Sequence, residues 1–370
     1  MKLYIAVIIF MAFSSFNSFN SFIQIPATTT ENEGGGAGVV SILAGSTYGY
    51  LDATGIAAKF AVPYGITIDS TNTNLYVADT QNYRIRKIVI STGVVTTLAG
   101  STSGYLDATG TSAKFDTPFY GITIDSTNTN LYVGDEYNIR IRKIVISTGV
   151  VTTLAGSGVS GYLDATGTAA KFETISGITI DSTNTNLYVV DTTRNCIRKI
   201  VISTAVVTTL AGSTVPGYLD ATGTSAKFFN PIGITIDSTN TNLYVADKNN
   251  NLIRKIVIST GVVTTLAGSI YQSGYLDGIG TSALFNYPTV IQIDSTNTNL
   301  YVVDNVNLIR KIVISTGVVT TLAGSMTSGY IDATGTSAKF DSPSGITTGR
   351  TKTNLYIADS QNNKIRQITL

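Results

Sequence analysis

One phrase, Gly-Ile-Thr-Ile-Asp-Ser-Thr-Asn-Thr-Asn-Leu-Tyr-Val, begins at Gly65, Gly121, Gly177 and Gly233 and returns in altered form at Val290 and Gly345. Six copies about 56 residues apart mean one structural unit built six times, and such units gain stability only by packing on each other. Within a unit lie four short β-branched runs, for example 65–68, 75–78, 85–90 and 94–98, separated by clusters of Gly, Asn, Asp and Ser. Runs of that length with turn residues between them read as strands, and no helical period spans a unit. The chain is therefore expected to be all-β, a six-bladed propeller of four-stranded antiparallel blades, the arrangement in which radial repetition protects the sheet edges.

Strand counting predicts how the ring closes. With the strands of a unit called a to d from the axis outward, a, b and c occur six times, but the last unit has no d after Gln367-Ile368-Thr369-Leu370. A matching run, Val39-Val40-Ser41-Ile42-Leu43-Ala44-Gly45, precedes the first strand a. Residues 39–45 are expected to supply the outer strand of the last blade. The turns fit this reading. Gly93, Gly149, Gly261 and Gly317 follow Ser-Thr between c and d, where a hairpin calls for positive φ, and Ala205 stands at the same place in one unit. Between a and b, Asp-Ser-Thr-Asn-Thr-Asn offers side chains that bond their own backbone.

Three segments follow: 1–27, a short basic start and an apolar run from Leu3 to Phe13, which read as a signal peptide; 28–38, a flexible lead-in; and 39–370, the propeller. An uncleaved signal anchor is the alternative for the first segment, and no other membrane span is expected. A secreted or cell-surface location follows from this reading. Lys and Arg number 24 against 23 acids, so no field recruits nucleic acid or an anionic membrane. The chain has no His and one Cys, Cys196. Ser-His-Asp and Cys-His catalysis are thereby excluded, and so are an intramolecular disulfide and thiolate or imidazole metal centres.

Leu-Tyr-Val-Ala-Asp-Thr-Gln-Asn-Tyr-Arg-Ile-Arg-Lys-Ile at 75–88, following Pro63 and Gly65-Ile66, closely resembles the NHL repeat, and the resemblance recurs six times over about 39–370. It implies the six-bladed NHL-type fold. The family includes peptide-amidating lyases, ubiquitin ligases with RNA- or protein-binding propellers, extracellular sensors and adhesion receptors, so the fold does not select a function. The lyases use His at a metal site and the RNA binders a basic face. Neither feature occurs in this chain.

Alternating strand direction places the d–a and b–c loops on one face and the a–b and c–d turns on the other. The turns are nearly uniform from unit to unit, whereas the b–c loops diverge, and loops on a rigid scaffold are where binding resides. Two repeated series are expected to be structural: the strand-b acids Asp79, Asp135, Asp191, Asp247, Asp304 and Asp359, and the strand-c bases Arg86, Arg142, Arg198, Arg254, Arg310 and Arg366. A carboxylate ring for a cation is the competing reading; six equal copies favour capping or ion pairing. A ligand on a pseudo-sixfold axis is better served by residues that break the repeat. Those are Tyr64, Phe119, Tyr120, Glu136, Tyr137, Glu173, Arg194, Phe229, Lys248 and Tyr287.

Aromatics with a few charges suit recognition of a protein or a carbohydrate. The expected function is a binding module acting through the b–c and d–a loop face, a monomer without catalytic or metal-binding residues and without a cofactor. The alternative is a calcium-dependent enzyme of the lactonase or hydrolase kind, with oxygen ligands around the cation in the central channel.

Overall fold

A computed structural model describes residues 38–370 apart from Val306, Arg350 and Lys352. The expected signal segment and nearly all of the lead-in lie outside the described residues.

Six antiparallel sheets are arranged by sequence around an axis. The first blade runs through Pro63–Ile68, Asn74–Asp79, Arg84–Val89 and Val94–Gly100, in the order a, b, c and d. Blades 2 to 5 repeat that order, with strands a at Pro118–Ile124, Ile175–Ile180, Pro231–Ile236 and Pro288–Ile293. Blade 6 has Pro343–Thr348, Asn354–Asp359 and Lys364–Thr369 from the end of the chain, and its outer strand is Val39–Ala44. The register pairs Val39 with Thr369 and Ile42 with Arg366, and a bulge follows before Ala44 meets Ile365. The ring closes through its N-terminal strand.

The core lies between blades. Tyr76, Ala78, Ile85 and Ala99 of blade 1 pack against Ile122, Leu131, Val133, Ile144 and Val151 of blade 2, with Phe115 from the connecting loop. Strand b is consequently buried along nearly its whole length, because a neighbouring blade covers each face, whereas the outer strand d is buried only at Val95, Ala99 and Gly100. At the axis the strands a converge closely. A Cβ on Gly65 would stand 2.7 Å from the Phe119 carbonyl oxygen, which explains the glycine that opens the phrase.

The uniform face is uniform because its turns are stitched. Asp69 Oδ1 accepts the Thr73 amide at 2.8 Å, while its Oδ2 accepts the Asn74 amide and side-chain nitrogen at 3.1 and 2.7 Å. Asn128 of the next blade accepts the Ser70 amide and donates to the Ser70 hydroxyl, each at 2.8 Å. The same clasp joins Ser126 to Asn184, Ser182 to Asn240 and Ser238 to Asn297. Substitution here would break the turn and the blade contact together.

Candidate functional site

The two repeated charge series meet inside each blade. Arg86, fully buried on strand c, donates through Nη1 to Asp79 Oδ2 at 2.6 Å and through Nη2 to Asp52 Oδ1 at 2.6 Å, and reaches the carbonyls of Lys59 and Leu51. Phe60 lies beside the guanidinium at 5.0 Å and Tyr50 at 5.0 Å. In the other five blades the strand-b Asp lies 2.5 to 3.3 Å from its arginine and the loop Asp 2.5 to 2.8 Å. Asp52 also accepts the Thr97 amide at 3.0 Å and the same bond recurs in blades 2 to 5, so in those five blades the triad ties the d–a loop to strands b, c and d. Asp79 Oδ1 takes the Ala61 amide at 2.8 Å. Burial pushes these strand-b carboxyls upward and the arginines oppose it.

These carboxylates are committed to arginines and amides, and Asp69, Asp125, Asp181, Asp237 and Asp294, which follow strands a, to their own turns. Neither set fits calcium, which needs several oxygens free to face one point. Among the described residues no three acidic or thiol side chains converge on a cation site.

The loops of the other face bring four of the repeat-breaking residues together at the axial mouth. Tyr64 stands two residues before the first Ile of its strand a, and the corresponding bulge in blade 2 holds one residue more, so that both Phe119 and Tyr120 enter it. Their rings form one cluster. Tyr64 and Phe119 have centroids 4.0 Å apart, Phe119 and Tyr120 4.3 Å, and Tyr64 and Tyr120 5.2 Å edge to face. Burial pushes the Tyr64 and Tyr120 hydroxyls upward, and the charge of Glu136, which follows strand b in blade 2, adds to both shifts; the Glu136 carboxyl is itself raised by burial to about 7.

The position of Glu136 carries a different job elsewhere. Thr80 donates to the Pro118 carbonyl at 2.6 Å, Thr192 donates to the Pro231 carbonyl at 2.7 Å, and Ser360 donates to the Pro63 carbonyl. These hydroxyls staple one blade to the next. A carboxylate cannot donate to a carbonyl, and Glu136 faces the aromatic cluster with no hydrogen-bond or ion-pair partner for its side chain among the described residues. The staples escape sequence inspection because the acceptor is a backbone oxygen of the next blade, 38 or 39 residues away for Thr80 and Thr192 and 297 for Ser360; the only signal was the run Thr80, Glu136, Thr192, Lys248, Asn305 and Ser360 at one repeat position.

The remaining candidates are spread around the ring. Tyr137 is exposed beside Glu136. Glu173 and Arg194 form an ion pair in blade 3. Phe229 and Tyr287 project from the loops entering blades 4 and 5, their amides held by Asp247 and by Asn251, and Lys248 opens the short turn Lys248–Asn250. Cys196 is buried, and burial raises its thiol strongly, which makes it a packed group.

The opposite mouth is a cavity of about 250 Å³ ringed by Thr67, Thr123, Thr179, Thr235 and Thr347, with Gln292 completing the circle. Gln292 donates to the Ile293 carbonyl at 3.0 Å. No helix of the described residues is long and apolar enough to cross a membrane.

Three relatives put this geometry in context. NHL repeat-containing protein 2 of Bos taurus is 26% identical over 339 residues, covering 83% of this chain and 46% of its own length. The chain thus spans less than half of that relative. An auxiliary nutrient binding protein of Bacteroides thetaiotaomicron superposes with a TM-score of 0.67 at 18% identity, covering 90% of this chain and 76% of that one. A gluconolactonase of Xanthomonas campestris does so with a TM-score of 0.58 at 12% identity, covering 90% of each. At such identities the two structures speak for the fold alone. No family model matches the chain.

Proposed function

Because the chain is an NHL-type six-bladed β-propeller whose faces differ in kind, we propose that it is a secreted or cell-surface binding module that takes a protein or glycan on its b–c and d–a loop face. The observation that carries this reading is the cluster of Tyr64, Phe119 and Tyr120 with Glu136 at the axial mouth. The pseudo-sixfold ring is broken there by an inserted aromatic and by a carboxylate that serves no blade contact. Aromatic faces beside one polar group are what a sugar ring or an interface anchor uses. The description of one structural neighbour as a nutrient binding protein agrees with a binding role for the fold.

The test is binding of the purified chain to a glycan array and to extracellular proteins, repeated with Phe119→Ala and Glu136→Gln. Partners that are held by the native protein and lost, at least tenfold, by either variant support the reading. Partners that both variants hold unchanged place binding elsewhere and overturn it.

A further inference from the structure

The first residue of strand c has a recurrent task at the outer rim of the loop face. In blade 1 the Arg84 guanidinium stacks on Tyr50 at 4.0 Å and donates to the Asn82 carbonyl at 2.7 Å. In blade 2 Arg140 stacks on Tyr105 at 3.9 Å and donates to the carbonyls of Asn138 at 2.8 Å and Ser157 at 3.1 Å. In blade 6 Lys364 lies over Tyr330 at 4.6 Å and donates to the carbonyls of Ser46 at 2.8 Å and Asn362 at 3.1 Å. One tyrosine face and the b–c loop carbonyl thus hold a cation three times over, once as an ammonium, and in blades 2 and 6 a d–a loop carbonyl joins them.

Blade 4 keeps the socket and lacks the cation. Tyr218 stands where Tyr50 and Tyr105 stand, with Arg254 at 5.1 Å just as Arg86 lies by Tyr50 at 5.0 Å. The strand-c position is Leu252, paired with Gly268 in the register that pairs Arg84 with Gly100. The corresponding carbonyls, of Asn250 and Ser269, accept no side-chain donor among the described residues. A cavity of about 270 Å³ opens there, lined by Tyr218, Leu252, Thr265, Ile270 and Tyr271. Its far wall comes from the d–a loop 268–274, which holds two residues more than 100–104, and Tyr271 on that loop is 93% exposed.

We propose that this rim pocket binds a monovalent organic cation, the guanidinium or ammonium end of an arginine or lysine side chain on a partner. The incoming group takes the place that Arg84, Arg140 and Lys364 fill from within the chain, its charge over the Tyr218 face and its N–H donors on the Asn250 and Ser269 carbonyls. Leu252 forms an apolar floor under the alkyl stem. This site is separate from the axial mouth and stands or falls independently of the function proposed for it.

Calorimetric titration of the full chain with N-acetyl-arginine amide, N-acetyl-lysine amide and the neutral isostere N-acetyl-citrulline amide tests the proposal. Saturable binding of at least one cation, on the order of millimolar for so small a probe, with citrulline at least tenfold weaker, is expected. Leu252→Arg places the cation in cis, as blades 1 and 2 already do, and should abolish binding while leaving the melting temperature no lower. Should that variant not fold, Tyr271→Ala, which removes only an exposed wall, must weaken binding several-fold. Equal binding of citrulline, binding that survives the folded variant, or absence of saturation by either cation overturns the proposal.

Discussion

Val40 lies directly opposite Ile368, the two side chains packed with Leu355, Ile357 and Phe340 in the hydrophobic layer between the last two blades. The Val40 amide is also held by the Ala333 carbonyl at 2.9 Å, so the closing strand is gripped along both edges. Its neighbours Val39 and Ser41 face solvent, as period-two alternation requires. Val40→Asp would bury an unpaired carboxylate and should cost about 3 kcal/mol or more by urea unfolding. Ser41→Asp should stay within about 0.5 kcal/mol. Equal effects would mean that the closing strand is not seated in this register.

The Arg86 triad makes a sharper demand on side-chain identity. Its guanidinium serves two carboxylates and two carbonyls while lying between two rings, a geometry that a point charge on a flexible stem cannot reproduce. Arg86→Ala leaves Asp79 buried without its counter-charge and should destabilise the chain by about 3 to 5 kcal/mol. Arg86→Lys should recover less than half of that loss. Since every blade carries the triad, the unfolding free energies of Arg142→Ala and Arg86→Ala from denaturant titration should agree within about 1 kcal/mol.

How much of this could be read from the sequence depends on whether a feature repeats. The strands, the closing segment and the uniform turns recur with the period, and repetition marks them without any knowledge of packing. The positive-φ requirement at Ala205 was legible in the same way, from Gly93 and its counterparts. The site residues broke the period, so the sequence could name Tyr64, Phe119, Tyr120 and Glu136 as exceptions but could not show that a bulge in blade 2 turns two rings onto a third from blade 1. The rim pocket was hidden for another reason. Leu252 looks like an ordinary apolar residue until Tyr218 and Tyr271, from the loops on either side of its blade, are seen around it.

Glu136 gives the stability of the chain a pH dependence that can be isolated. Burial lifts its carboxyl from 4.5 to about 7, so between those values the folded chain holds a proton that the unfolded chain has released. Stability attributable to this group therefore falls as pH rises through the window and is flat on either side. Glu136→Gln keeps the shape and removes the titration. Its unfolding free energy should exceed that of the native protein by about 2 kcal/mol at pH 8 and match it at pH 4, a comparison in which the other buried carboxyls cancel. A constant difference across that range would show that the carboxyl is solvated in the folded chain.

Ala205 supplies a second prediction of increased stability, because here it is the natural residue's backbone that is strained. It closes the c–d hairpin of blade 3 with φ of 55°, where Gly93, Gly149, Gly261 and Gly317 have φ of 69° to 70°. The hairpin's tether is unchanged, since the Gly167 amide donates to the Ala205 carbonyl at 2.8 Å as the Gly55 amide does to that of Gly93. What differs is the Cβ, which in the left-handed region crowds its own backbone at a cost of about 1 to 2 kcal/mol. Part of that gain is offset by the greater freedom of glycine in the unfolded chain, worth about 0.4 to 1 kcal/mol. Ala205→Gly should therefore stabilise the protein by up to about 1 kcal/mol, while Gly93→Ala should destabilise it by at least as much, because its new Cβ would also press on the Gly55 amide at 3.3 Å. Chemical denaturation of the two variants side by side decides the matter, and a loss of stability on Ala205→Gly would show that the hairpin carries no such strain.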